Sequence, residues 1–196
     1  MAPKDGNELM SMLKIALESG KPVAIRYPKE DIPEEKLSPQ YKKFEIGKAE
    51  ILREGPDGVL LAYGAMVYRC MDAAERLSEK GVEVTVVNAR FAKPLDKELI
   101  LRLVRNNKLI LTAEDHALMG GFGSAVLELV SDEGENGNKI VRMGIPDRFM
   151  EHGPRNLILK NIGLDENGIA EKFIAMLDLM DMRGSFTKAG KQRLTV

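Results

Sequence analysis

Runs in which apolar residues recur every three or four positions alternate along this chain with short stretches of Val, Ile and Leu bounded by Gly, Pro, Asn or Asp. The first run carries Leu9, Leu13, Ala16 and Leu17 at helical spacing, with Asp5 or Asn7 placed to cap it and Gly20 to stop it. This predicts an amphipathic helix of about three turns. "PVAIRYP" then has the composition of a short strand ended by Pro28, and residues 29–43 turn charged and proline-bearing without periodicity, as a linker does. One helix and one strand cannot enclose a core, so residues 1–28 read as the end of a domain continued elsewhere. The alternative is that they pack on the domain that follows.

From Gly47 the pattern becomes regular. "KAEILRE" and "VLLAYG" flank "GPDG", whose composition predicts a hairpin with the two strands antiparallel. A helix over 66–80 follows, with Val67, Cys70, Ala74 and Leu77 on one face and Gly81 as its stop, and then the strand "VEVTVVNA". The alternation continues as "LDKELILRLVRNN" (helix), "KLILTAED" (strand), "GGFGSAVLELVSDEG" (helix) and "NKIVRMGIP" (strand). Strands separated by crossover helices predict an α/β domain with a five-stranded mixed sheet, four strands parallel and one antiparallel. Helical periodicity returns at 155–161 and 169–182, before a polar tail at 183–196 expected to be disordered.

Charge and composition narrow the function classes. Lys and Arg total 29 against 30 Asp and Glu, and the aromatics are six Phe, four Tyr and no Trp. No basic stripe or stacking platform for nucleic acid is present. Cys70 is the single cysteine, which excludes an internal disulfide and a CxxC metal knuckle and fits a reducing compartment. The longest apolar run, "VLLAYGAMV", is far short of the ~20 residues a membrane span needs, so no membrane association is expected. The chain reads as cytosolic.

The stretch "EDHALMGGFGSAVLELV" at 114–130 concentrates candidate chemistry. Gly120, Gly121 and Gly123 sit between a strand and a helix, where backbone N–H groups can approach phosphate. The spacing matches neither a Walker loop nor GxGxxG, because Val126 stands where the third glycine would be, and a tight turn with close helix packing is the competing reading. His116 lies at the carboxyl end of a parallel strand, where open α/β sheets place ligands. It can serve as a base there, or as a hydrogen-bonding or interface residue. His152 in "FMEHGPR" carries the same two readings, and the two histidines lack any zinc spacing. "DENG" at 165–168 lacks the ligand alternation of a calcium loop and predicts a turn before the last helix. Arg26 and Lys29 bracket a strand end, where cations can reach an anionic ligand or remain surface charge.

Taken in order, "VAIRYPKE", "VNARFAKPLD", "TAEDHALMGGFGSAVLE" and "GIPDRFMEHGPRNLILKNIGLDENGI" resemble the carboxyl-terminal third of the 1-deoxy-D-xylulose-5-phosphate synthase family, from residue 2 to about residue 175. The resemblance implies a transketolase C-terminal-domain-like three-layer fold with helices on both faces of the sheet. It divides the chain into 1–38, the last helix and strand of a pyrimidine-binding domain plus linker, 39–182, the transketolase C-terminal domain, and the 183–196 tail. It also implies a thiamine-diphosphate- and Mg²⁺-dependent transferase joining pyruvate to glyceraldehyde 3-phosphate with release of CO₂, as a homodimer in a bacterial cytoplasm or plastid stroma. No GDG motif is present, so the cofactor site is expected in amino-terminal and pyrimidine domains outside this chain, which alone should bind no cofactor and be inactive. Transketolase, the 2-oxoacid dehydrogenase beta subunit and a non-catalytic interaction or regulatory module are the alternatives. The residues carried over are substrate-phosphate contacts: Lys29 in place of the arginine of the family's "RYPRG", and Arg26, for which bracing the strand end is the competing role. The Lys29-Glu30 pair departs from the family's Arg-Gly; lysine keeps the charge but loses the bidentate fork.

Overall fold

The computed structural model describes residues 1–29 and 42–192, without the side chains of residue 138 and of 181–192. Its core is a five-stranded sheet of β1 (Glu50–Pro56), β2 (Val59–Ala62), β3 (Val84–Asn88), β4 (Ile110–Ala117) and β5 (Ile140–Ile145), in the order β1-β3-β2-β4-β5. β2 to β5 run parallel and β1 antiparallel. The helices are α1 (Gly6–Glu18), α2 (Met66–Ser78), α3 (Lys97–Asn106), α4 (Phe122–Asp132), α5 (Arg155–Asn161) and α6 (Glu166–Gln192).

The alternation of side chains along each strand creates the three layers. Leu60, Val84, Val86, Leu111 and Ala113 point to one face and pack with α2, α5 and α6, through Leu77, Leu159 and Phe173 among others. Val59, Leu61, Val87 and Ile110 point to the other and pack with α3 and α4. All four residues of β2 are buried, as expected of a parallel strand covered on both faces. Cys70 lies on the buried face of α2, where burial pushes its thiol up to about 12, so it is unreactive at neutral pH.

The expected β1–β2 hairpin does not form: β1 pairs with β3 instead. Both edges of β2 are taken by its parallel partners β3 and β4, so β1 must cross to the outer edge of β3. Asp57 fixes the corner: its N–H donates to the Glu83 carbonyl and its carboxylate accepts the Glu83 N–H at 2.7 Å. A side chain at Gly55 would meet the Glu83 backbone at 2.5 Å, so the close crossing requires glycine there.

Two further expectations are corrected at the ends of the chain. Residues 22–28 form no strand. A strand needs a ladder, and among the described residues this segment's backbone pairs with Met1, through Met1 N to Ala24 O and Arg26 N to Met1 O, both 3.0 Å. At the other end α6 continues past Met182 to Gln192, into residues expected to be disordered. Adding residues to an existing helix is cheap once the nucleus has formed, so the loss of apolar periodicity does not stop it. Residues 193–196 lie outside the described residues.

Helix α1 starts as expected, with the Asp5 carboxylate accepting the Glu8 N–H at 2.7 Å. Its buried face is not the expected one: Glu8, Ser11, Met12 and Ile15 face the domain, while Leu13 is 50% exposed and Leu17 85%. The helix carries apolar residues on two sides, and polar contacts decide between them. Glu8 accepts from Arg90 Nε at 2.6 Å, from Asn88 Nδ2 at 2.9 Å and from the Lys4 N–H at 2.7 Å. Tyr68 donates to Asp5 at 2.9 Å, and Arg90 also pairs with Glu50. Arg90 itself holds φ 57°, a left-handed conformation that its contacts with Glu8, Glu50 and Asn88 keep in place.

Candidate functional site

The carboxyl end of β4 reads Glu114, Asp115, His116, and the period-two alternation of a strand sends the first two to opposite faces of the sheet. Glu114, fully buried, points to the α4 side, where Oε2 accepts the Phe122 N–H at 2.7 Å and Oε1 the Gly123 N–H at 2.8 Å. The helix N-terminus that glycines could have opened to phosphate is therefore filled by the chain's own carboxylate. Burial pushes the Glu114 carboxyl up, against the pull of the Gly123 and Phe122 amides and of His116 and Arg142.

The glycines serve this arrangement. A Cβ on Gly121 would lie 2.2 Å from both Glu114 Oε2 and the Ala117 carbonyl, and one on Gly123 would lie 2.5 Å from Thr112 Oγ1. Ser124 and Arg142 pin the turn before the helix: Arg142 donates to the Leu118 carbonyl at 2.9 Å and to Ser124 Oγ at 2.7 Å. The tight-turn reading of "GGFGS" is thus the one the geometry adopts.

On the opposite face Asp115, 4% exposed, is gripped by two arginines from distant parts of the chain. Arg26 Nη1 donates to Oδ1 at 2.6 Å and Arg26 Nη2 to the Asp115 carbonyl oxygen. Arg155, the first residue of α5, donates from Nη2 to Oδ2 at 2.7 Å. Burial pushes the Asp115 carboxyl up, but the hydrogen bonds and charges of Arg26 and Arg155 outweigh it and hold the group below its ordinary value.

The sign of that shift sets an acid-side prediction. A carboxyl whose folded value is depressed below 3.8 contributes stability that is fully present above 3.8 and is lost as pH falls through the folded value. Wild type should therefore be more stable than Asp115→Asn at pH 7, and the two should converge below pH 3.8. Urea midpoints of both proteins across that range measure it; a gap that stays constant with pH would show that the charge of Asp115 is irrelevant.

The residues expected to meet a phosphate are only partly brought together. Arg26 is half-buried and its two terminal nitrogens are committed to Asp115, while Lys29, three residues on, is exposed. Glu30 lies outside the described residues. His116 and His152 are both exposed, and neither lines the shallow cleft of about 660 Å³ at the carboxyl ends of β4 and β5, which is bounded by Leu118, Met119, Pro146 and Phe149. "DENG" does form a turn: Asp165 caps α6, its Oδ1 accepting the Gly168 N–H at 3.0 Å. Two features escaped the sequence reading, the Asp115–Arg155 pair and the Glu8–Asn88–Arg90 clasp. The alternation of "EDH" on a strand was the one signal that two acidic neighbours must have separate partners.

The described residues do not fit a thiamine diphosphate–Mg²⁺ site. Among the described residues no group of three or more His, Cys, Asp or Glu could hold a metal ion, and the α4 amides that could cradle a phosphate are occupied by Glu114. No helix among the described residues is long and apolar enough to cross a membrane.

The family model "Transketolase, C-terminal domain" matches residues 47–169, a span that holds the whole sheet, and the chain belongs to this family. More particularly, it is similar to 1-deoxy-D-xylulose-5-phosphate synthases: 49% identical over 181 residues to synthase 1 of Geobacter sulfurreducens and 43% over 178 residues to that of Halothermothrix orenii. These matches cover 89% and 91% of this chain but 28% of each relative, so the chain spans little more than a quarter of their length. Among solved structures, a split-gene transketolase described as an inactive beta4 tetramer superposes with a TM-score of 0.82 at 33% identity, covering 91% of this chain and 57% of that one. A Pichia stipitis transketolase mutant at 21% identity and TM-score 0.62 shares the fold.

Proposed function

We propose that this chain is the C-terminal part of a 1-deoxy-D-xylulose-5-phosphate synthase. As a whole, such an enzyme is a thiamine-diphosphate- and Mg²⁺-dependent transferase that joins a two-carbon unit from pyruvate to glyceraldehyde 3-phosphate, releases CO₂ and supplies isoprenoid, thiamine and pyridoxal precursors. The observation that carries this reading is the 49% identity over 181 residues, which extends past the 47–169 of the shared domain. In this reading residues 1–38 close a pyrimidine-binding domain and lead into a C-terminal domain over 39–182. The exposed Met10, Leu13 and Leu17 row of α1 supports it, because such a row is expected to bury against a neighbour. The cofactor would be held by the amino-terminal and pyrimidine-binding domains, in a homodimer working in a bacterial cytoplasm or plastid stroma.

This chain's part in the chemistry is then assembly and one phosphate contact. Lys29 presents an ammonium to the phosphate of glyceraldehyde 3-phosphate, and Arg26, its guanidinium committed to Asp115, acts by holding the segment rather than by touching the ligand. Two measurements test the reading. The isolated chain, given pyruvate, thiamine diphosphate and Mg²⁺, should not turn over; activity without added domains would sink it. In the enzyme assembled with those domains, Lys29→Ala should raise KM for glyceraldehyde 3-phosphate about ten-fold or more, the scale of a lost charge-assisted hydrogen bond. An unchanged KM would remove Lys29 from the phosphate site.

A further inference from the structure

We propose that Asp115 is a positioning residue: its carboxylate clamps the 22–29 segment and the start of α5 to the end of β4 and so sets where Lys29 stands. The role deepens the phosphate contact proposed above and rests on it. Three observations carry it. The carboxylate is almost fully buried, yet both of its oxygens are consumed by arginines that lie 89 and 40 residues away in sequence. Arg26 closes a second bond onto the Asp115 backbone carbonyl, so its guanidinium is held at two points and cannot swing about one. The 22–28 segment belongs to no sheet, and among the described residues its backbone pairs with Met1.

The chemistry of the clamp is specific to a carboxylate. Both arginines are donors only, so the acceptor between them must offer two oxygens and no hydrogen. Asparagine at this position keeps the shape but turns one oxygen into an NH₂, which faces an arginine donor to donor. One arginine must let go, and both side chains reach solvent well enough to be hydrated once released. Alanine offers neither oxygen, so Arg26 keeps only the backbone carbonyl and can swing about it, which loosens the segment three residues before Lys29. A phosphate contact made by a flexible lysine on a loose segment weakens, because the ordering that the clamp provided must now be met on binding.

The test has two readouts, the first independent of activity. In the isolated chain, Asp115→Ala, which removes both oxygens, should speed amide exchange across residues 22–29 by about ten-fold or more while α2 and β3 exchange as in wild type. Asp115→Glu, which restores both oxygens, should recover protection and guards against a variant that merely fails to fold. In the enzyme assembled with its cofactor-binding domains, Asp115→Ala should raise KM for glyceraldehyde 3-phosphate about ten-fold with kcat within about two-fold, and leave KM for unphosphorylated glyceraldehyde unchanged. Unchanged exchange at 22–29 would overturn the clamp. Faster exchange with an unchanged KM, where Lys29→Ala raises it, would overturn the positioning role and leave the phosphate contact standing. If neither variant alters KM, the phosphate reading itself fails and this inference goes with it.

Discussion

Phe173→Ala is expected to destabilise the domain by about 3–5 kcal/mol, the range for truncating a large aromatic in a packed core. Phe173 is fully buried on α6, in the layer that also holds α2, and its ring packs on Gly58 so closely that a Cβ there would stand 2.7 Å from Cζ. That contact ties the last helix to the corner at which β1 leaves β2. The void left by the ring cannot be filled from the corner side, because Gly58 holds φ +145° and has no side chain to offer. Urea unfolding should show the midpoint falling with the slope preserved. A loss below about 1 kcal/mol would mean that α6 collapses onto the gap and that the helix is not a fixed part of the core.

Glu8→Ala should cost about 3 kcal/mol and release α1 from the domain. Removing one member of a buried ion pair leaves the other uncompensated, which typically costs about 3–5 kcal/mol. The lower end applies because Arg90 keeps Glu50 and its stacking on the Phe44 ring, 4.5 Å from the centroid. Asn88 Nδ2, fully buried, loses its acceptor as well. Amide exchange in α1 rising to the rate of an unfolded peptide, with β2 and β4 still protected, would register the release. Should α1 stay protected, the burial of Met12 and Ile15 and the Tyr68–Asp5 bond would be shown to hold it without Glu8.

These two sites differ in how far the sequence announced them. The sheet and the crossover helices followed from alternating short apolar runs and helical periodicity, because burial on both faces leaves a run such as "VLLA" no polar position, while the antiparallel direction of β1 followed from the turn composition of "GPDG". The pairing of β1 did not follow, since a turn composition fixes where a chain bends and not which strand it joins; that was decided by β3 occupying the edge of β2. The buried face of α1 differs from the one its apolar spacing predicts for a related reason. Periodicity located apolar rows, but the buried side was chosen by Glu8, a charge whose partners Asn88 and Arg90 lie about eighty positions away. The glycine turn was legible as a turn, whereas the carboxylate filling the helix end was not, because nothing local distinguishes a capping Glu114 from a solvated one. Lys29 was marked by its place beside an expected strand end and by the resemblance, whereas the Arg26–Asp115 contact three residues before it joins positions 89 apart and has no local signal.

The division of labour at the end of β4 also restricts how this chain can change length. Deleting one residue between Ile110 and Ala113 would shift the triplet by one place and turn each side chain to the opposite face. Asp115 would then be offered to the α4 amides, and His116 would stand between Arg26 and Arg155, where its imidazole could accept from only one of them. The spacing of this strand is thus held by two unlike clients, each needing a carboxylate on its own face, and insertions or deletions are expected to be excluded from it even where substitutions in its apolar half are tolerated.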